Sequence, residues 1–188
     1  MKIKRCIYYF DITILSLLIL LWLSFIIPEI KEWVHGILEN KGKNEWIVKE
    51  GDKAPDFTIE LNDSTRFTLS NNPDKVVLLH FFDENGSYEK NINFVREEIW
   101  DYYNSEENFI LIGLACGMNK REVEIVKKEM EPQYDIVADK TKRILEKFSK
   151  AETDINRYVL IGEDGEILKL TYKDKESKEL LREIAKAL

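Results

Sequence analysis

Two stretches of the chain carry no charged residue and almost no polar one: Val76–Phe82 (VVLLHFF) and Phe109–Ala115 (FILIGLA). Unbroken apolar runs of strand length mark strands buried on both faces. Between them, from Ser87 to about Tyr103, the apolar residues Ile92, Phe94, Val95, Ile99 and Trp100 recur at helical spacing. The pattern therefore predicts a β-α-β unit, and a right-handed crossover sets its two strands side by side and parallel. Further on it predicts a second helix over Asn119–Met130 and a short strand over Tyr134–Ala138. A third helix is expected over Thr141–Phe148, turning Ile144, Leu145 and Phe148 inward. Tyr158–Ile161 and Glu166–Tyr172 flank Glu163-Asp164-Gly165, and Asp-Gly between apolar runs signals a hairpin. Ser177–Leu188 reads as a closing helix. Before the β-α-β unit, Trp46–Val48 and Phe57–Leu61 read as short strands, with Arg66–Leu69 pairing back across Asn62-Asp63-Ser64. Strands alternating with helices give an α/β domain over residues 46–188, its mixed central sheet covered on both faces.

The N-terminal pattern differs. Lys2, Lys4 and Arg5 lie in a basic tail over residues 1–5, and residues 6–27 are almost wholly apolar, broken by Asp11 and a few hydroxyl side chains. About 20 such residues span a bilayer core. A cleaved signal peptide would have a shorter apolar region ending at a small-residue site. Here the run ends Ser24-Phe25-Ile26-Ile27-Pro28, and no cysteine follows it for lipoprotein processing. The segment is expected to be an uncleaved, single-pass signal anchor in the inner (cytoplasmic) membrane. The basic residues precede it, which places the N-terminus in the cytoplasm and the domain on the extracytoplasmic, periplasmic side. Asp11 falls within two turns of the basic end, so its carboxylate reaches the interface; contact with a partner helix is the functional alternative. Residues 28–45 carry Ile30, Trp33, Val34, Ile37 and Leu38 at helical spacing, which predicts a short juxtamembrane amphipathic helix lying on the headgroups or packing on the domain, then the linker Asn40-Lys41-Gly42-Lys43-Asn44.

Charge and residue counts narrow the function. A net charge of −7, with basic residues interleaved among acids, excludes a general nucleic-acid binder. The only cysteines are Cys6 and Cys116 and the only histidines are His35 and His80, far apart in sequence. No disulfide framework and no metal site follows from that set, and no cofactor is implied.

The segment Gly51-Asp52-Lys53-Ala54-Pro55-Asp56-Phe57-Thr58 resembles the opening of the TlpA-like and redoxin (AhpC/TSA-like) branch of the thioredoxin-like superfamily. Leu69-Ser70 leading into Lys75–Phe82 resembles it too, as does Arg157–Ile161 with Asp164-Gly165 and Ile167. The resemblance runs from about Gly51 to the C-terminus and implies a thioredoxin-like fold. It also implies a Cys-x-x-Cys at the start of the helix after the first core strand. There the free N–H groups and the positive dipole end lower the first thiol's pKa, and the second thiol resolves the mixed disulfide. The matching positions hold Gly86, Ser87, Tyr88 and Glu89. The position matching the family's cis-proline is Asn156, where a trans peptide is expected. No cysteine lies between Phe82 and Trp100 to serve as a redoxin-type peroxidatic thiol.

Three other residue sets are candidates. Cys116 follows the second core strand and so lies at the same sheet edge as Gly86, where open α/β sheets form sites. It reads as a lone redox thiol or as a small buried side chain. His80 reads as a tuning group or as a core histidine. Asp83, Glu84 and Glu89 read as a cation or peptide site, or as acids and caps suited to a helix start.

The resulting expectation is an envelope-facing, membrane-anchored thioredoxin-fold protein with a degenerate active site. Its task would be non-catalytic: binding an envelope protein or peptide at the old site. The alternative is a thiol–disulfide oxidoreductase acting through Cys116 or a partner's thiol. A third reading is a structural member of a membrane complex in which Asp11 matters most.

Overall fold

Phe57, Ile59 and Phe67 are buried between exposed neighbours, the alternation that an antiparallel pair produces. They sit in or beside a hairpin of β1 (Thr58–Glu60) and β2 (Arg66–Thr68), with Ile59 opposite Phe67. In the computed structural model, which describes residues 46–85, 88–150, 155–172 and 177–188, all of these residues fall in one compact unit. The basic tail, the apolar segment 6–27 with Cys6 and Asp11, and residues 28–45 with His35 lie outside the described residues. So do Gly86, Ser87 and residues 151–154. Among the described residues no helix is long and apolar enough to cross a membrane.

The apolar run VVLLHFF forms β3 (Val76–Phe82), buried along its whole length at the centre of the main sheet. Helix α1 (Tyr88–Val95) follows, continuing through a π-helical turn, Arg96–Trp100, into a short α segment, Asp101–Tyr103. Next come β4 (Phe109–Cys116), α2 (Lys120–Met130) and β5 (Asp135–Asp139). The chain ends with β6 (Asn156–Ile161), β7 (Ile167–Tyr172) and α3 (Ser177–Ala187). The sheet order is β5-β4-β3-β6-β7; β5, β4 and β3 run parallel, β6 is antiparallel to β3, and β7 antiparallel to β6. The predicted β-α-β unit is present, with Val76 opposite Phe109 and Phe82 opposite Ala115.

Side-chain alternation splits the core in two. Val77, Leu79 and Phe81 point to a face covered by the β1–β2 hairpin and by Ile144, Leu145 and Phe148. Val76, Leu78 and Phe82 point to the other face, covered by Ile92 and Val95 of α1, Ile99 of the π-helical turn, Val123 and Val126 of α2, and Leu180 and Ile184 of α3. Each fully buried side chain of this kind contributes about 1.5–3 kcal/mol, so β3 anchors both halves.

Local chemistry sets the element ends. Asn119 caps α2 by accepting from the N–H groups of Arg121 (2.9 Å) and Glu122 (3.2 Å), and Glu122 accepts in return from the Asn119 N–H at 2.7 Å. That reciprocal pair is a capping box. The α2 helix stops where Glu131 turns left-handed (φ 44°) ahead of Pro132. The predicted β6–β7 hairpin forms, with Gly165 at φ 77°, a conformation that suits glycine.

Two sequence expectations are corrected. Thr141–Phe148 is not an α-helix; only a 3-10 turn forms, Leu145–Lys147. Lys142 is left-handed (φ 56°), which no right-handed helix passes through. The buried Asp139 carboxylate takes the Ile144 and Leu145 N–H groups at 3.0 and 3.1 Å. Ile144, Leu145 and Phe148 still turn inward as predicted. Trp46–Val48 forms no strand beyond a single bridge between Trp46 and Ser149. The Asp52 carboxylate accepts from the Lys49 N–H at 2.8 Å, turning the chain there.

Candidate functional site

Parallel strands end together, so β3, β4 and β5 bring Phe82, Cys116 and Asp139 to one edge of the sheet. β6 starts at this edge, with Asn156 opposite Phe82, and β7 finishes here, with Tyr172 opposite Arg157. Helix α1 begins beside it. Of the positions matching a dithiol, Tyr88 is half-buried with its ring stacked on Phe82 at 6.3 Å, and Glu89 is exposed. Asn156 is buried, and no cis peptide occurs among the described residues.

Strand alternation decides which candidates meet. His80 and Asn156 lie on the α1 face of the sheet. There the His80 ring stacks on Tyr158 (centroids 4.9 Å apart, planes within 10°) and lies 5.1 Å from Phe82. His80 is fully buried, and neither ring nitrogen has a well-formed hydrogen bond among the described residues. Burial pushes its pKa down to about 3, and the neighbouring Asn156 amide opposes this only weakly. His80 is therefore a neutral imidazole at any ordinary pH. The Asn91 side chain of α1 is buried on this face as well, its amide nitrogen also without a partner among the described residues.

Cys116 occupies the opposite face, packed with Phe81, Leu145 and Phe148 in the other half of the core. Its side chain is 2% exposed, and its thiol donates to the Leu114 carbonyl at 3.5 Å. Burial first, and then the Asp139 carboxylate, push the thiol pKa well above its ordinary value, against a smaller opposing pull from Lys142. A reactive thiolate requires the reverse environment, partly exposed and electropositive. The sheet thus lies between the domain's one thiol and the face on which α1 packs.

Of the edge-loop residues, Asp83 is buried at 3% exposure while Glu84 is exposed, so the acids Asp83, Glu84 and Glu89 do not converge on one exposed site. Among the described residues no group of His, Cys, Asp and Glu side chains could hold a metal ion.

The edge also holds a cluster that the sequence pattern does not reveal. Arg157 is 2% exposed, its guanidinium 5.2 Å from the Trp46 ring centroid and 4.6 Å from that of Tyr172. The two rings lie 5.4 Å apart. Aromatic faces stabilise a desolvated guanidinium. The one hint in the sequence is a single arginine inside the otherwise uncharged strand NRYVLI.

No family model matches the chain, and no curated protein matches it. Solved structures do. A Bacteroides thetaiotaomicron protein provisionally named a protein disulfide isomerase is 33% identical, with a TM-score of 0.72 over 78% of this chain and 94% of that one. The thioredoxin domain of a Bacteroides vulgatus thiol-disulfide oxidoreductase shares the fold at 15% identity and a TM-score of 0.59, over 73% of this chain and 98% of that one. So does a thiol:disulfide interchange protein from a Bacteroides species, at 17% identity and a TM-score of 0.59, over 74% and 90%. At 33% identity across nearly the whole of the first relative, this chain belongs to the thioredoxin-like superfamily.

Proposed function

We propose that the chain is a membrane-anchored, envelope-facing member of that superfamily whose thiol–disulfide site has been lost, and that it works as a non-catalytic binding module. One observation carries this reading. The four positions matching the dithiol are Gly86, Ser87, Tyr88 and Glu89, and the only thiol of the domain, Cys116, is buried on the face away from α1. Two-electron exchange through sulfur needs an attacking thiolate and a resolving thiol at accessible positions. His80 offers no substitute chemistry, since a neutral imidazole in the core with no well-formed hydrogen bond has no route for a proton to solvent. Membrane attachment rests on the apolar segment 6–27 and its basic flank.

The test is a redox titration of the full-length chain in detergent, with Cys6 changed to Ser. The chain is equilibrated with mixtures of reduced and oxidised glutathione, and mass spectrometry then counts the adducts. Cys116 is expected to remain a free thiol throughout. A stoichiometric mixed disulfide on Cys116 under native conditions would return the chain to the oxidoreductases. Protease digestion of intact spheroplasts tests the anchor: the domain is digested from outside, and its protection would reverse the topology.

A further inference from the structure

Among the described residues β5 is the last strand of the main sheet on one side, paired only with β4. The Asp139 carbonyl accepts from the Gly117 N–H at 3.0 Å, on the β4 side. Backbone groups alternate along a strand, so those of the part-exposed Ala138 face the other way, toward the outer edge, while Ile136 is buried at 1% exposure. A groove of about 730 Å³ runs beside this edge, between β5 and the β1–β2 hairpin. Its lining includes Arg66, Lys120, Lys140 and Arg143. Two carboxylates share the groove, and both are committed. Glu60 pairs with Lys120 at 3.2 Å, and Asp139 is buried and holds the Ile144 and Leu145 N–H groups. Arg66, Lys140 and Arg143 are exposed and have no ion-pair partner among the described residues. In a chain with a net charge of −7, this is a local reversal of sign.

We propose that this groove docks an acidic peptide, which lies beside β5 and pairs its carboxylates with Arg66, Lys140 and Arg143. The free cations also discourage edge-to-edge pairing with a second copy, whose groove carries the same sign. The inference deepens the binding reading above by naming the class of partner and the surface that takes it.

The test uses the full-length chain in detergent and a fluorescent octapeptide of alternating glutamate and valine. The control is its lysine–valine counterpart. The acidic peptide is expected to bind at least about tenfold more tightly than the basic one and to weaken as salt rises from about 50 to about 500 mM. The double variant Lys140→Glu/Arg143→Glu is expected to cost about tenfold or more while melting at an unchanged temperature. Equal binding of acidic and basic peptides, undiminished binding by the charge-reversed variant, or no binding at ~1 mM peptide would each overturn the inference. In the last case the cations serve only to guard the edge. Thiol turnover by the chain would end the silent-site reading whatever the peptide does. A groove that ignores the peptide would end this inference and leave that reading standing.

Discussion

Acidification from pH 7.5 to 5 should destabilise the domain through His80, and replacing that one residue should remove the effect. The ring is fully buried against Tyr158 and Phe82, and its pKa falls from 6.5 to about 3. Between those two values the unfolded chain holds a proton that the folded chain refuses. A depressed histidine thus contributes stability that is complete above pH 6.5 and is lost as pH falls toward 3. At pH 5, 1.5 pH units below the ordinary histidine value, the loss is about 2 kcal/mol at about 1.36 kcal/mol per unit. His80→Leu fills a similar volume and removes two ring nitrogens that have no well-formed hydrogen bond, so at pH 7.5 it should be close to neutral or stabilising. Urea unfolding of both proteins at several pH values isolates the term, because the carboxylates titrate alike in each. The wild-type protein is expected to lose about 2 kcal/mol more than His80→Leu on going to pH 5. Parallel pH curves would refute the reasoning and show that the imidazole is charged, or hydrated, inside the fold.

Other residues give further expectations. With Cys6 changed to Ser, Cys116 should react with a colorimetric disulfide reagent at least about a hundredfold more slowly in the native protein than in urea, since its thiolate is both disfavoured and covered. Asp139→Ala strips the acceptor from two buried backbone N–H groups and should cost about 2–4 kcal/mol in urea unfolding, with Asp139→Asn recovering part of it. Asn119→Ala breaks the α2 capping box and should cost about 1 kcal/mol, read in the same way.

The parts of this fold that were legible in the sequence are those whose signal is local. The two uncharged runs could only be central strands, and they are β3 and β4, side by side and parallel. Asp164-Gly165 placed the β6–β7 hairpin, and Asn119 with Glu122 formed the start of α2. What the pattern missed depends on contacts between distant residues. Residues 141–148 have helical spacing, but the carboxylate of Asp139 captures two of their N–H groups and Lys142 turns left-handed. The sandwich of Arg157 between Trp46 and Tyr172 joins residues more than a hundred positions apart. No spacing rule predicts it. The same holds for the groove beside β5, whose cations come from a hairpin, a helix start and a loop. The candidate site was legible as a place, the edge where β3 and β4 end. Which face each side chain takes emerged only from the strand register: Cys116 on one side, His80 and Asn156 on the other.

Insulin reduction by dithiothreitol, followed as turbidity with the full-length chain in detergent and an active thioredoxin assayed beside it, bears most directly on whether this scaffold still exchanges disulfides. The expected rate is that of dithiothreitol alone, unchanged by Cys116→Ser. Turnover above that background which disappears in Cys116→Ser would contradict the account.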